Sequence, residues 1–278
     1  MLAVVIVNYR KCDRVVESLV ALRQQTKYNC LSIVIVDNSV DIDSENILRN
    51  SLFENERLIV PQTNLGYTIA TNLAVEAVPD FDHVILLNPD IVLDDQTVIE
   101  RVISEMESDQ TIGVLGALQR NDDNSLVESA RRFPTLFRQM YRRLSPGAMT
   151  DLDLLVSIED PTKRSSIDVD WIQSSFIVVR GTVWRELGGL NTRYKIFMSD
   201  VALCRAVARL GFRIVVTSKA LVRADGKRAS TGAFLSLITS RAQRFHVRDA
   251  ILYSILESRV AFSIRCLKRL SVRQKNND

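Results

Sequence analysis

The stretch VILLNPDIVL, Val84 to Leu93, decides the fold. A run of apolar residues stops at Asn88-Pro89-Asp90 and then resumes. A buried strand followed by an exit from the sheet explains the first half. It does not explain the carboxylate, because a turn needs none. Proline fixes its own φ and so stiffens the backbone from which Asp90 projects. The same arrangement occurs three times upstream. The apolar residues 2–7 lead into Asn8 and Tyr9. Residues 31–36, interrupted only by Ser32, lead into Asp37 and Asn38. Residues 57–60 lead into Asn64-Leu65-Gly66.

Continuous Val- and Ile-rich runs suit strands buried on both faces of a parallel sheet. Helical spacing fills the gaps between them. Asp13 is expected to cap a helix with Val15, Val16, Leu19, Val20 and Leu22 on its apolar side. Residues 72–77 fall in a second helix and 94–108 in a third, and 111–115 read as a further strand. Alternating strand and helix over the first ~115 residues implies a doubly wound α/β fold. In such sheets ligands bind outside the carboxyl ends of the strands. Any one of the polar groups, taken alone, reads as a turn or cap residue. Four in register point to one crevice.

Beyond residue 118 the pattern changes. Residues 121–125 read as a turn. Phe133, Leu136, Phe137, Met140, Tyr141 and Leu144 follow helical spacing, and 145–166 show no period. Residues 169–179 read as a strand, 200–210 as a helix stopped by Gly211, and 212–217 as another strand. From 233 onward the chain reads as a basic helix. The expected organisation is one catalytic domain, 1–232, in two halves (1–118 and 119–232), followed by a helical extension, 233–278.

Composition narrows the function. The 278 residues are 46% hydrophobic and 25% charged, with a formal net charge of +3, too small an excess to indicate nucleic-acid binding. The four cysteines form no C-x-x-C pair, which argues against zinc and fits a reducing compartment. No run approaches the ~20 apolar residues of a membrane span, and the first apolar run is too short for a signal segment. The expected location is cytoplasmic. There is no G-x-G-x-x-G and no P-loop. A phosphate site without a glycine cradle needs another counter-charge. Magnesium on one carboxylate and the substrate's phosphates is the usual one, and Asp90 fits it.

Taken together, VVIVNYR, VIVDNSVDIDS, NLGYTIATN, LLNPDIVL, DWIQSSFIVVR and LGGLNTRYKIFMSDVALCRAVARLGFRI resemble the family 2 glycosyltransferases of the GT-A fold, especially the bacterial rhamnosyltransferase-like branch. The resemblance implies that 1–118 is the nucleotide-binding half and 119–232 the acceptor-binding half, that Asn8 and Tyr9 line the nucleotide pocket and that Asp37 contacts the base. Asn64, Gly66 and Asn72 lie beside the nucleotide. Asn88-Pro89-Asp90 stands for the D-x-D motif, with Asp90 on Mg²⁺ or Mn²⁺. Trp171 lies near the acceptor, a core tryptophan being the competing reading. Asp200 is the general base, with an ordinary helix cap as the competing reading. Inverting transfer requires such a carboxylate to take the acceptor hydroxyl's proton.

The sequence also departs from the family. Ser199 replaces a Glu, Ala202 replaces the second Asp of E-D-x-D, and Ser174 replaces a common Gly. A metal-binding His near Val222 is missing, which leaves Arg223 or Lys227 to meet the diphosphate. The expected activity is transfer of a sugar, with rhamnose suggested by resemblance alone, from a dTDP- or UDP-sugar to a hydroxyl of a lipid-linked or growing surface polysaccharide such as O-antigen. A non-catalytic nucleotide-sugar-binding protein is the alternative. The basic, apolar-striped segments after Arg131 and Arg241 suit either an inner-leaflet membrane surface or packing on the domain with a solvated basic face. Nucleic acid is not expected, because aromatic residues do not interleave with the charge.

Overall fold

The computed structural model describes residues 1–134, 155–159 and 165–224, together with Arg248, Ile251, Leu252 and Ile255. The first half follows the alternation: β1 (Leu2–Asn8), α1 (Cys12–Arg23), β2 (Leu31–Asp37), α2 (Ile42–Ser51), β3 (Glu56–Ile59), α3 (Tyr67–Glu76), β4 (His83–Leu87), β5 (Ile91–Val92) and α4 (Val98–Ser108). The rest comprises β6 (Ile112–Asn121), β7 (Ala130–Arg131), β8 (Ser166–Asp168), β9 (Trp171–Ile172), β10 (Phe176–Arg180), α5 (Gly181–Leu187), α6 (Ser199–Arg209) and β11 (Arg213–Ala224).

The main sheet has the order β3-β2-β1-β4-β10-β6-β11-β5, with β8 also on β11; β7 and β9 form a separate pair. Strands β1 to β4 are mutually parallel, as are β6 and β11, while β10 runs antiparallel between β4 and β6. Every residue of β4 and β10 is buried, as strands covered on both faces require. One apolar layer joins Val4, Ile6 and Ile85 to Leu19 of α1 and Val102 of α4. The other joins Val5, Val36 and Leu86 to Ala70 of α3, Trp184 of α5 and Cys204 of α6. The fold is therefore α/β and mostly parallel, with helices on both faces.

Several sequence expectations shift. Asp13 lies in the first turn of α1 and does not cap it; the N-cap position is Lys11, with no side-chain cap bond. A carboxylate there still opposes the helix dipole favourably. Val20 is 48% exposed, because only Val15, Leu19 and Leu22 share the inward stripe with Ser18. The third helix starts at Val98, since Asp95 turns back to bind the Thr97 N–H and hydroxyl. The strand expected over 169–179 is two pieces, β9 and β10, separated by a turn at Ser174–Ser175. Within 145–166, where the sequence shows no period, Leu155 and Ile158 are buried in the core. The helix expected from Phe133 lies outside the described residues beyond Pro134. So does the 233–278 extension, apart from the four residues named above, of which Leu252 packs against the core. Among the described residues no helix is long and apolar enough to cross a membrane.

Candidate active site

Register places the ends of β1 and β2 side by side, with Asn8 opposite Asp37. Both side chains are sealed from solvent. Asn8 Nδ2 donates to Asp37 Oδ1 (2.9 Å), Ser39 Oγ (3.2 Å) and Ser44 Oγ (3.1 Å). Asp37 also accepts from the Ser39 N–H (2.9 Å) and the Ser44 hydroxyl (2.8 Å). These residues brace the floor of the crevice and are not presented to a ligand, as pocket residues would be. Asn38 carries the brace onward: its amide donates to Gly66 O (3.1 Å) and accepts from the Leu65 N–H (3.3 Å). Tyr9 is 51% exposed at the crevice mouth, with Arg10 over its ring.

Asn64 and Gly66 shape the loop into α3. Asn64 Oδ1 accepts from the Gly66 N–H (2.8 Å). Gly66 has φ +79, and a Cβ there would stand 2.8 Å from Lys195 O, so only glycine fits. Asn72 grips the opposite loop at both ends of one residue, donating to Leu190 O (2.9 Å) and accepting from Leu190 N (2.8 Å). Thr68 donates to Tyr194 O (2.7 Å). Asn72 thus orients the segment that leads into α6.

The turn at Ser174–Ser175 lies beside the segments that carry both candidate carboxylates. The Asn88 N–H donates to Ser175 O (2.8 Å), anchoring the Asn88-Pro89-Asp90 turn. A nearby Ser174 N–H favours the ionised form of the Asp200 carboxylate, and the Tyr67 hydroxyl reaches Ser174 O (3.5 Å). Gln119, buried at the end of β6, pairs with the Ser175 hydroxyl. Sequence reasoning missed this hub, because two serines in a short turn carry no periodic signal.

Asp200 sits in the first turn of α6, part-buried, and also accepts from the Val201 N–H (2.8 Å). Burial pushes its pKa up to about 6, against the lowering effect of the backbone N–H groups and the Arg131 charge. Burial likewise pushes Tyr67 up to about 12, with the Asp200 charge adding to it. The helix that carries Asp200 begins after Met198, a left-handed residue (φ 64). Arg10 (φ 57) and Val40 (φ 54) are left-handed too, and both follow strands that end at the crevice. Such backbone costs about 1–3 kcal/mol per residue and collects at functional sites.

Asp90 is a part-exposed carboxylate whose Oδ2 lies 3.7 Å from the Lys11 ammonium. Among the described residues no three His, Cys, Asp or Glu side chains group to hold a metal. A single carboxylate still fits Mg²⁺ or Mn²⁺, because a diphosphate and water fill the remaining positions of such an ion.

Two expected site residues are occupied elsewhere. Trp171 is 8% exposed in the core, its indole N–H on Arg132 O (3.0 Å), which fits the core reading better than an acceptor platform. Arg223 binds Asp94 through two bonds (2.8 and 3.1 Å) and Asp122 through a third (2.6 Å), so a phosphate would have to displace carboxylates. Lys227 lies outside the described residues. Of the departures, Ser199 is buried and turns its hydroxyl back to Ile196 O (3.3 Å). Ala202 lies two residues past Asp200, about 200° round the helix. It lines a separate cleft of about 540 Å³ with Arg205 and Arg209, so its lost carboxylate would not have shared a face with Asp200.

The sequence profile of "Glycosyl transferase family 2" matches residues 3–157, more than half of the chain, and the chain belongs to that family. An N-acetylglucosaminyl-diphospho-decaprenol L-rhamnosyltransferase of Mycobacterium tuberculosis is 28% identical over 234 residues, covering 80% of this chain and 75% of that protein. The O-antigen chain rhamnosyltransferase WbaN of Salmonella anatum is 23% identical over 192 residues, covering 69% and 55%. In structure, a mannosyltransferase from Pyrobaculum calidifontis in complex with GDP-Man and Mn²⁺ superposes with a TM-score of 0.60 at 15% identity, covering 82% of this chain and 58% of that one. The chain is a glycosyltransferase with a GT-A fold.

Proposed function

We propose that this enzyme transfers a sugar, with rhamnose the first candidate, from a dTDP- or UDP-sugar to a hydroxyl of a lipid-linked or growing surface polysaccharide, with inversion. The observation that carries the reading is the place of the two carboxylates: Asp90 in the turn that Asn88 anchors to Ser175 O, and Asp200, its pKa raised by burial, in the first turn of α6. The first half of the domain, 1–118, then holds the donor, and the second half, 119–232, binds the acceptor. Asp200, ionised above about pH 6, takes the proton of the attacking hydroxyl as that oxygen bonds to the anomeric carbon. The nucleoside diphosphate leaves from the opposite side, and no covalent intermediate is needed. Asp90 would hold a Mg²⁺ or Mn²⁺ ion, which when bound stabilises the charge on the leaving diphosphate. The names of the mycobacterial and Salmonella relatives support rhamnose as donor sugar and a diphospholipid-linked acceptor, and such an acceptor would bring the enzyme to the inner face of the cytoplasmic membrane.

The test is transfer from dTDP-rhamnose, against a panel of UDP-sugars, to an N-acetylglucosaminyl-diphospho-polyprenol in vesicles. Rhamnosylated product supports the reading. Product only with a UDP-sugar corrects the donor, and nucleotide binding without product from any donor favours the non-catalytic alternative that Ser199 and Ala202 motivate.

A further inference from the structure

The first loop carries a feature that the catalytic residues leave unexplained. Its backbone is tied down at two successive residues: the Arg10 N–H donates to Ser39 Oγ (2.8 Å) and the Lys11 N–H donates to Asn8 Oδ1 (3.0 Å). Both acceptors belong to the sealed network around Asp37. Satisfying both holds Arg10 left-handed, at φ 57. The outcome of this construction is the position of Lys11, whose ammonium crosses from the end of β1 to Asp90 beyond the end of β4.

The pair is a poor stabilising device. Both side chains are about half exposed, at 54% and 42%, and exposed pairs of this kind contribute little to folding. Position is its better explanation. Lysine is a compact cation on a flexible stem, able to move between nearby anions without moving the backbone. The neighbouring cation on β11, Arg223, is already bound by Asp94 and Asp122.

We propose that Lys11 is a diphosphate-binding residue that shares Asp90 with the metal. Without metal it neutralises Asp90. When a nucleoside diphosphate enters, it turns to the phosphate oxygens, so part of the diphosphate affinity is independent of metal. The ligand class is a nucleoside diphosphate, and the proposal rests on the donor-site reading above.

The experiment is calorimetric titration of UDP and dTDP into wild type, Lys11→Met and Lys11→Arg, in EDTA and in Mn²⁺, with inorganic pyrophosphate and farnesyl diphosphate as further probes. In EDTA, Lys11→Met is expected to weaken the better nucleotide about tenfold, a typical loss for one charge-assisted contact. Lys11→Arg restores most of it. In Mn²⁺ the loss is expected to shrink, because the ion supplies the counter-charge. Titrating Mn²⁺ alone gives a second readout: removing Lys11 tightens the ion on Asp90. Equal nucleotide affinity of wild type and Lys11→Met in EDTA overturns the proposal while leaving the donor site intact. An equal loss with and without Mn²⁺ overturns the sharing of Asp90. A loss seen with farnesyl diphosphate but not with the nucleotides assigns Lys11 to the acceptor and overturns the donor assignment. No binding of either nucleotide to wild type under any condition overturns the donor-site reading itself.

Discussion

The two ends of the central sheet use the same residue types to opposite effect. At the amino end of the parallel strands, Arg23 and Glu56 form a buried ion pair through two bonds, with the Tyr28 hydroxyl and the Phe53 N–H completing the carboxylate. Arg180 closes the end of α4 on the carbonyls of Met106, Asp109 and Ile112. No left-handed non-glycine residue belongs to these clusters. At the carboxyl end the polar groups are braced from below, yet Asp90 and Tyr9 stay exposed, Asp200 has a raised pKa, and Arg10, Val40 and Met198 are left-handed. Perturbed carboxylates and strained backbone cluster where chemistry occurs, whereas fully paired charges fix structure.

The comparison breaks most visibly at Asp200. Asp200→Asn is expected to lower kcat by about 10²–10⁴, with nucleotide affinity unchanged, as steady-state rates and calorimetry would show. Asp200 also gives the comparison a pH signature. Its folded pKa of about 6 lies above the unfolded value, so the folded state binds the proton more tightly. Stability is then lost as pH rises from the unfolded value through about 6. Asp200→Asn should therefore be more stable than wild type at pH 7.5, by up to about 2–3 kcal/mol, and this advantage should vanish near pH 3 in denaturant melts. Activity runs the other way: kcat/KM should rise with pH through an apparent pKa of about 6.

At the amino end the prediction is reversed. Glu56→Ala leaves the Arg23 charge without its buried partner and should cost about 3–5 kcal/mol of stability. The folded fraction should keep wild-type kcat. A smaller effect is expected at Gly66, where alanine meets Lys195 O and an unfavourable φ: about 1–3 kcal/mol of stability, together with a raised donor KM. Smallest is Val20→Ala, on the exposed side of α1, within about 0.5 kcal/mol. Leu19→Ala on the buried side of the same helix should cost about 2–5 kcal/mol.

Much of the fold was legible because continuous apolar runs and helical stripes report burial directly. β1, β2, β4 and the inward side of α1 lie where their sequence pattern places them. Asp13 and Val20 misled because a first-turn acid resembles a cap and because periodicity does not fix the edge of a stripe. Within the site, the sequence marks the positions of Asp90 and Asp200 by their place after a strand and at a helix start. It does not distinguish residues that meet a ligand from residues that hold others. Asn8, Asp37 and Asn72 look like binding groups in the chain and are braces in the structure, because each is bonded to a partner 29 or more positions away. Lys11 and the Ser174–Ser175 turn gain meaning only from contacts across strands.

The account turns on whether the carboxyl end of the sheet is a divided site, with Asp90 for the donor and Asp200 for the proton. The most direct measurement is calorimetric binding of UDP and dTDP, in Mn²⁺ and in EDTA, to wild type, Asp90→Ala and Asp200→Asn. The predicted result is that Mn²⁺ tightens binding to wild type and Asp200→Asn over binding in EDTA, and that this gain is lost in Asp90→Ala, leaving only the metal-independent part. Undiminished metal-dependent binding in Asp90→Ala would contradict it.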